Sequence, residues 1–578
     1  MKTSKIDLLF DKLDSRREVT PTCMDRILAI PSTGVSTTSA AAIHAAEYWT
    51  KKLGKGGAWL RPVQGIALQT IADRKCMLGL IGVGAGKTGI CLLAGTAAGA
   101  QRPLLLAPPA LINQMRADLE WWKDHFTFTP PLLVSYGKLS VASGSSILDD
   151  YEPDLIIADE CHYLRKPNST RTKRFRRYFI DRPTAGFIGV SGTVTSSSLL
   201  DYAHLLELSL RENAPVPLSQ YELMRWAATI DPKGEPTLAD WRLVWPLVEW
   251  YCSDFFNQPE VMSNEKRRST VRAAYQTRLV TTPGVIYTQQ FSCDASLHLI
   301  RHNQITLPLE IAAALKTLEE SWCRPDGEEL SEASQKSAVA KNLSIGFYYR
   351  WLWPDGQVDY EWLEARSIWN KAVREQLTYR SRPGVDSPFL VQEWIETGGG
   401  SASLRSAWSG WSQVKHRPEP PKEAVWISDE IIDYAVNWLL SQSEPAILWY
   451  KSLAIETALE VRGISVYGAG SPAPLGESCA ASILAHGTGK NLQHYATALI
   501  MEVPGGSLCE QLIGRLHRPG QLRDLVAFHF LDHTWPLSAA FKKAQEDARY
   551  IEESTGVRQR LNAARLLTMN HKRERYNE

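Results

Sequence analysis

Two stretches of this chain consist of short runs that are apolar on both faces, each ending in a polar, glycine-containing or acidic turn and each followed by a helix-like segment. The first series is LGLIGVG (78–84), PLLLAPP (103–109), PLLVSYG (131–137), DLIIADE (154–160) and GFIGVSGT (186–193). The second is AILWYKS (446–452), ISVYGAG (464–470), ASILAHG (481–487), TALIMEV (497–503) and DLVAFHF (524–530). A strand buried on one face alternates apolar and polar residues. A run apolar throughout belongs to a parallel strand whose crossover helices cover both faces of the sheet. The polar residues gather at the carboxyl ends of the runs, where open α/β sheets bind ligands. The pattern predicts an α/β protein with two parallel-sheet lobes in tandem.

Between the two series the texture changes. Tryptophans concentrate there in helix-like periodicity, as in LADWRLVWPLVEWYCSDFF (238–256). Such rings could stack on nucleic-acid bases, but helical core packing is the simpler reading. SLHLIRHNQITLPLEIAAALKTLEE (296–320) has the pattern of a strand followed by a helix, and GGGSASLRSAWSG (398–410) that of a flexible loop. The expected organisation is an N-terminal extension over 1–55, a first lobe over 56–212, a mainly helical Trp-rich insertion over 213–425, a second lobe over 426–540 and a C-terminal helical tail over 541–578. The strand near 295 is a candidate start for the second lobe.

Composition excludes several classes. There is no apolar run long enough to span a bilayer. MKTSKIDLLFDKLDSRRE lacks the apolar core of a secretory signal. The nine cysteines include no CxxC pair, which argues against a zinc site and a disulfide framework and for reduced thiols in a cytoplasmic protein. The net charge of +1 does not advertise a nucleic-acid partner, so any such contact must use a local basic surface.

The chemistry lies at the ends of the runs. LIGVGAGKT (80–88) follows a strand and precedes a helix-like segment, the context of a phosphate loop. Gly82, Val83, Gly84, Ala85 and Gly86 would wrap phosphates with backbone N–H groups at a helix N-terminus. Lys87 would neutralise β- and γ-phosphate charge, and Thr88 would ligate Mg²⁺. Ile81 stands where the strict pattern wants glycine. Asp159 and Glu160 cap a wholly apolar strand; Asp159 would hold Mg²⁺ and Glu160 would polarise a water. In EQLIGRLHRPGQ (510–521), Gln511, Arg515 and Arg518 fall on one helical face, with Pro519 and Gly520 ending the helix. Arginines aimed from one lobe at a nucleotide on the other would stabilise charge on a transferring phosphoryl group.

Together these strings resemble the superfamily-two helicases, and more narrowly the SWI/SNF-type translocase ATPases in a bacterial or phage version. LRPVQ (60–64) resembles the adenine-side motif, with Gln64 the implied base reader. IGVGAGKT resembles motif I, LLLAPPALINQMRADLEWW (104–122) motif Ia, and VSYGKL (134–139) motif Ib. DECH (159–162) resembles motif II, and SGTVT (191–195), with Ser191, Gly192 and Thr193, motif III. AHGTGKNL (485–492), with Gly487, Gly489 and Asn491, resembles motif V, and QLIGRLHRPGQ motif VI. The departures are Ser191, Val194 and His486, together with VPGGSLCE (503–510) where the family has Trp-Asn-Pro. The resemblance implies two RecA-like lobes with ATP and Mg²⁺ between them, and duplex DNA as the track.

One basic stretch lies close to motif II. RKPNSTRTKRFRRYFIDR (165–182) holds eight lysines and arginines and one aspartate, and Arg171, Lys173 and Arg174 are its candidate phosphate contacts. KRRSTVR (266–272) is a weaker candidate. A solvated helical face is the alternative for both. The expected function is an ATP-dependent motor on double-stranded DNA that binds without sequence preference. A strand-separating helicase on DNA or RNA, and a non-hydrolysing nucleic-acid scaffold, are the alternatives.

Overall fold

The structure, a computed structural model, describes residues 22–569 except 35, 253–261, 290, 292, 331, 380, 381, 383 and 384. The first part of the expected N-terminal extension and the end of the expected tail lie outside the described residues.

Six strands form the first sheet: β1 (Met77–Leu80), β2 (Pro103–Ala107), β3 (Leu132–Ser135), β4 (Leu155–Asp159), β5 (Gly186–Ser191) and β6 (Val285–Tyr287). All pair in parallel, in the order β3-β2-β4-β5-β1-β6. Every residue of β1, β2, β4 and β5 is buried, as their unbroken apolar runs require. Parallel neighbours need crossovers, and helices Lys87–Ala98, Ile112–His125 and Thr170–Asp181 supply three of them. Because β4, β5 and β1 are adjacent, their carboxyl ends bring 159–160, 191–193 and 81–88 to one edge of the sheet.

A helix over Ala40–Leu53 extends this lobe by lying along helix Pro62–Arg74. Their contact passes over Gly65, where a Cβ would lie 2.2 Å from the backbone nitrogen of Ala46, so only glycine lets the backbones approach this closely.

The second lobe starts at β7 (Ser296–His302). A hairpin-like pair, β8 (Phe347–Trp351) and β9 (Lys422–Trp426), precedes β10 (Ala446–Tyr450), β11 (Val466–Tyr467), β12 (Cys479–Ser482), β13 (Thr497–Ile500), β14 (Leu525–Leu531) and β15 (Arg565–Thr568). The second sheet is again all parallel, ordered β11-β12-β10-β13-β14-β7-β15, while β8 and β9 pair antiparallel by themselves. The protein is thus an α/β fold of two tandem parallel-sheet lobes.

The Trp-rich middle is divided between them. Helices Gln220–Ile230, Leu238–Tyr251 and Asn264–Val280 send Trp226, Trp241, Trp245 and Tyr275 into the core that also holds Leu78 and Ile156, and β6 completes the first sheet. Beyond β7 the chain belongs to the second lobe. Helices Tyr360–Tyr379, Pro388–Glu396 and Ala402–Val414 emerge between β8 and β9 around a small core of Trp369, Val391 and Leu404.

Three local expectations are corrected. The stretch 398–410 is helical from Ala402, because Ser401 accepts the Leu404 N–H and Leu404, Ala407 and Val414 are buried. The run 481–487 is strand only to Ser482; the chain then forms the short helix Ile483–His486. The C-terminal tail is not uniformly helical. A helix spans Trp535–Thr555, Gly556 reverses the chain at φ 75°, and β15 joins the edge of the second sheet.

Candidate active site

The first wall of the site is the turn after β1. Gly84 and Gly86 stand at φ 89° and 92°, left-handed backbone that glycine adopts without strain. The loop is tethered at both ends. Gly82 N–H donates to Thr288 Oγ1 at 2.9 Å, and Gln64 Nε2 donates to the Gly86 carbonyl at 3.0 Å. Arg61 reinforces this, donating from Nη1 to the Gly84 carbonyl and from its backbone N–H to Gln64 Oε1, both at 2.8 Å. Gln64, which the resemblance makes a base reader, is buried here and braces the loop. Helix Lys87–Ala98 begins with no side-chain cap, so its first N–H groups remain available to an anion.

The second wall is the end of β4. Lys87 Nζ reaches across to Glu160 Oε1 at 2.5 Å, with both side chains about 10% exposed. Ser191 Oγ donates to Glu160 Oε2 at 3.1 Å, and His162 Nδ1 lies 3.3 Å from the same oxygen. Although burial raises a carboxyl, Lys87 and His162 around Glu160 hold it well below the usual range. Burial in turn lowers His162. Asp159, buried beside the Glu160 charge, is pushed up to about 7, first by desolvation and then by that neighbour. Its Oδ1 is buried and has no hydrogen-bond partner among the described residues. A divalent cation would satisfy this buried carboxylate oxygen. Thr88, a second oxygen donor, lines the same cavity, so the residues fit Mg²⁺. Glu160 itself adopts φ 53°, unusual for a residue with a side chain and a strain that active sites tolerate.

The third wall comes from the second lobe. Helix Gly506–Leu516 presents Gln511 and Arg515, both buried; it stops at Leu516, short of the expected end at Pro519, so Arg518 stands beyond the helix rather than on its face. Gln511 Nε2 lies 3.3 Å from Thr193 Oγ1 and 3.4 Å from His162 Nε2, and Ser507 Oγ donates to Thr193 Oγ1 at 2.8 Å. Arg515 donates through Nε to the Gln511 carbonyl and through Nη1 to the Lys490 carbonyl, at 3.1 and 3.3 Å. Burial lowers Arg515 to about 10, which leaves it a cation at neutral pH.

These walls enclose a cleft of about 220 Å³ lined by Lys87, Thr88, Asp159, Glu160, Arg515 and Arg518, among others. Val83, Gly84, Gly86, Gly489 and Asn491 also face it. Gly82, Ala85, Gly192 and Thr193 line the back of the loop instead. Gly487 ends the short helix after β12. Two residues that sequence reasoning missed are Thr288, which anchors the loop from beyond β6, and Arg560, described below. Neither lies in a recognisable string, so no sequence signal pointed to them.

The basic stretch 165–182 divides. Arg165, Lys166 and Arg171 line a second cleft of about 430 Å³ between the lobes, facing Gly505, Gly506 and Ser507. Arg174 is not placed to meet phosphate. It is buried, pairs through Nε with Asp386 at 3.1 Å, and donates through Nη1 to the carbonyls of Leu139 and Val141. Lys173 donates to the Leu377 carbonyl, so it too is held by the helical insertion. In the weaker patch, Arg268 and Arg272 are engaged with carbonyls of 230–234, and Arg272 also pairs with Glu553.

No protein-family model matches this chain, and no curated protein matches it in sequence. Among solved structures, a Sulfolobus solfataricus SWI2/SNF2 ATPase core in complex with double-stranded DNA is similar at 12% identity and a TM-score of 0.30, over 82% of this chain and 88% of that one. At that TM-score the likeness adds nothing to what the sheets and the cleft show for themselves.

Proposed function

We propose that this chain hydrolyses ATP in the cleft between its lobes and uses the cycle to move on double-stranded DNA. One observation carries the reading. A lysine at a phosphate-loop helix, two strand-end carboxylates and two arginines from the opposite lobe line one cavity. Such a set does little for an isolated fold, but it matches the charge that develops in phosphoryl transfer.

The residues have separate tasks in this proposal. Phosphates entering the loop draw Lys87 away from Glu160. That releases Glu160 Oε1, which can then accept a hydrogen bond from the attacking water. His162 and Ser191 keep the other carboxylate oxygen fixed while this happens. Asp159 and Thr88 would hold Mg²⁺, which neutralises phosphate charge when bound. Arg515 and Arg518 complete the site only while the lobes are closed, so hydrolysis and lobe movement are linked. The cations of the second cleft, Arg165, Lys166 and Arg171, supply sequence-independent phosphate contact.

The test is ATPase activity measured with duplex DNA, single-stranded DNA and RNA, beside triplex-displacement and duplex-unwinding assays. Stimulation by duplex with triplex displacement and no unwinding is the expected result. Lys87→Ala and Glu160→Gln should reduce turnover to background while the fold persists. Arg518→Ala should lose turnover and keep ATP binding. Turnover like that of the unsubstituted chain in either of the first two variants refutes the hydrolysis reading.

A further inference from the structure

The C-terminal segment does something no motif announces. Helix Trp535–Thr555 packs Phe541, Ala544 and Ala548 into the core of the second lobe and reaches the first lobe with its C-terminal end. Tyr550 donates to Asp231 Oδ1 at 2.9 Å, and Arg272 pairs with Glu553 at 2.8 Å. Val557 joins the core of the first lobe. Three residues later Arg560 is 2% exposed, and then β15 returns the chain to the second sheet.

Arg560 touches both lobes at the nucleotide cleft. Its Nη1 donates to Glu510 Oε1 at 2.9 Å, and its backbone N–H to Glu510 Oε2 at 2.7 Å. Glu510 directly precedes Gln511 on the helix that presents Arg515. Nε approaches His517 Nδ1 and carbonyl oxygen at 3.2 and 3.3 Å. The remaining branch, Nη2, donates to the carbonyl of Val83 at 3.2 Å, inside the phosphate loop. The loop is also pressed onto that helix, since a Cβ on Gly514 would lie 2.9 Å from Val83 Cγ1.

The geometry of the peptide bond gives this contact a consequence. In a trans peptide the C=O and the following N–H point in opposite directions. Holding the Val83 carbonyl behind the loop therefore turns the Gly84 N–H away from Arg560, toward the side where Gly84 lines the cleft. Gly84, at φ 89°, has the conformational freedom to lose that orientation if the contact goes. A pair made only for stability has a cheaper solution, because well-packed apolar residues often replace buried ion pairs without loss.

We infer that Arg560 is a positioning residue: it fixes the Val83–Gly84 peptide for phosphate binding and ties that orientation to the arginine-bearing helix through Glu510. The inference rests on the cleft being a nucleotide site. Closure of the second lobe then both delivers Arg515 and sets the loop that faces it.

The experiment uses full-length Arg560→Lys and Arg560→Gln. Lysine can still pair with Glu510 and glutamine can still donate to it, but neither has a second nitrogen to hold Val83. Hydrogen exchange of the peptide covering 82–86, thermal unfolding, nucleotide binding and ATPase kinetics are measured, with kcat expressed per folded molecule. The expected result is faster exchange at 82–86 in the absence of nucleotide, and a kcat lower by roughly 10- to 100-fold, the scale of small misplacements at a reacting centre. Melting should stay close to that of the unsubstituted chain in Arg560→Lys, which keeps a cation beside Glu510, and should fall in Arg560→Gln, which does not. Unchanged exchange at 82–86 in the variants overturns the positioning role whatever the activity. A kcat per folded molecule equal to that of the unsubstituted chain, with only Tm lowered, shows a structural pin and also overturns it. Absence of ATP binding and hydrolysis in the unsubstituted chain overturns the nucleotide reading instead, and the exchange result still judges the loop contact.

Discussion

Replacing Asp159 with asparagine should make this protein more stable and inactive at once. The carboxyl is buried beside ionised Glu160 and is raised from 3.8 to about 7. Below pH 3.8 both folded and unfolded chains carry it protonated, so it has no effect on stability. Between 3.8 and 7 the unfolded chain ionises while the folded chain holds its proton, and stability falls as pH rises. Above 7 the full penalty is present. A rise of roughly three units at about 1.4 kcal/mol each sets an upper limit on the order of 4 kcal/mol. Asparagine carries no such charge. In EDTA at pH 8, Asp159→Asn should therefore unfold with a stability gain of about 2–4 kcal/mol, or a Tm higher by roughly 5–10 °C for a lobe of this size. The gap should close as the pH is lowered toward 4. Differential scanning fluorimetry across that range reads both the sign and the slope. The same variant should lose Mg²⁺-dependent turnover, because its amide carries no negative charge to hold the cation. Lower stability than the unsubstituted chain at pH 8, or a difference that does not change with pH, refutes the reasoning.

Other consequences follow from particular contacts. Gly489 stands at φ 77°, and a Cβ there would lie 1.4 Å from Leu111 Cδ2, across the cleft. Gly489→Ala should hold the lobes apart and lower kcat at least about tenfold, a barrier higher by about 1.4 kcal/mol; added Leu111→Ala should recover part of it in the same ATPase assay. Asp386→Ala leaves Arg174 buried without its counter-charge. It should destabilise by about 3–5 kcal/mol, read by urea unfolding, while Asp386→Asn should do less harm. Thr288→Val removes the acceptor of the part-buried Gly82 N–H, and a donor left unmade costs about 1–3 kcal/mol; nucleotide affinity measured by titration should fall, and the melting point should drop by roughly 2–10 °C.

Much of the fold can be read from the chain alone, because burial on both faces leaves a direct mark. The runs at 78–84, 103–109, 154–160, 186–193 and 446–452 contain strands whose residues are buried throughout. The edge runs were less informative. At 464–470 only Val466–Tyr467 are strand, since a sheet edge has one neighbour and a shorter ladder. The stretch 398–410 misled because three glycines in a row outweigh the helix signal that begins at Ser401. The division of the Trp-rich middle was not legible either. Core helices of both lobes need the same apolar periodicity, so Trp241 and Trp369 look alike in sequence although they pack in different cores.

The same split holds at the candidate site. Sequence by itself determined the apolar strands, the glycines at left-handed turns and the residue types set at the strand ends, because each of these is a local requirement of backbone or burial. Only the tertiary structure decided partnership. It placed β5 between β4 and β1, which sets Ser191 beside Glu160. It closed Arg174 against Asp386, although the charge of that helix alone suggested a phosphate contact. It also carried Arg560 from the far end of the chain to Val83. A charge in a sequence has no address. What it pairs with depends on which elements the sheets bring together, and burial then decides whether that partner is a carboxylate, a carbonyl or a ligand.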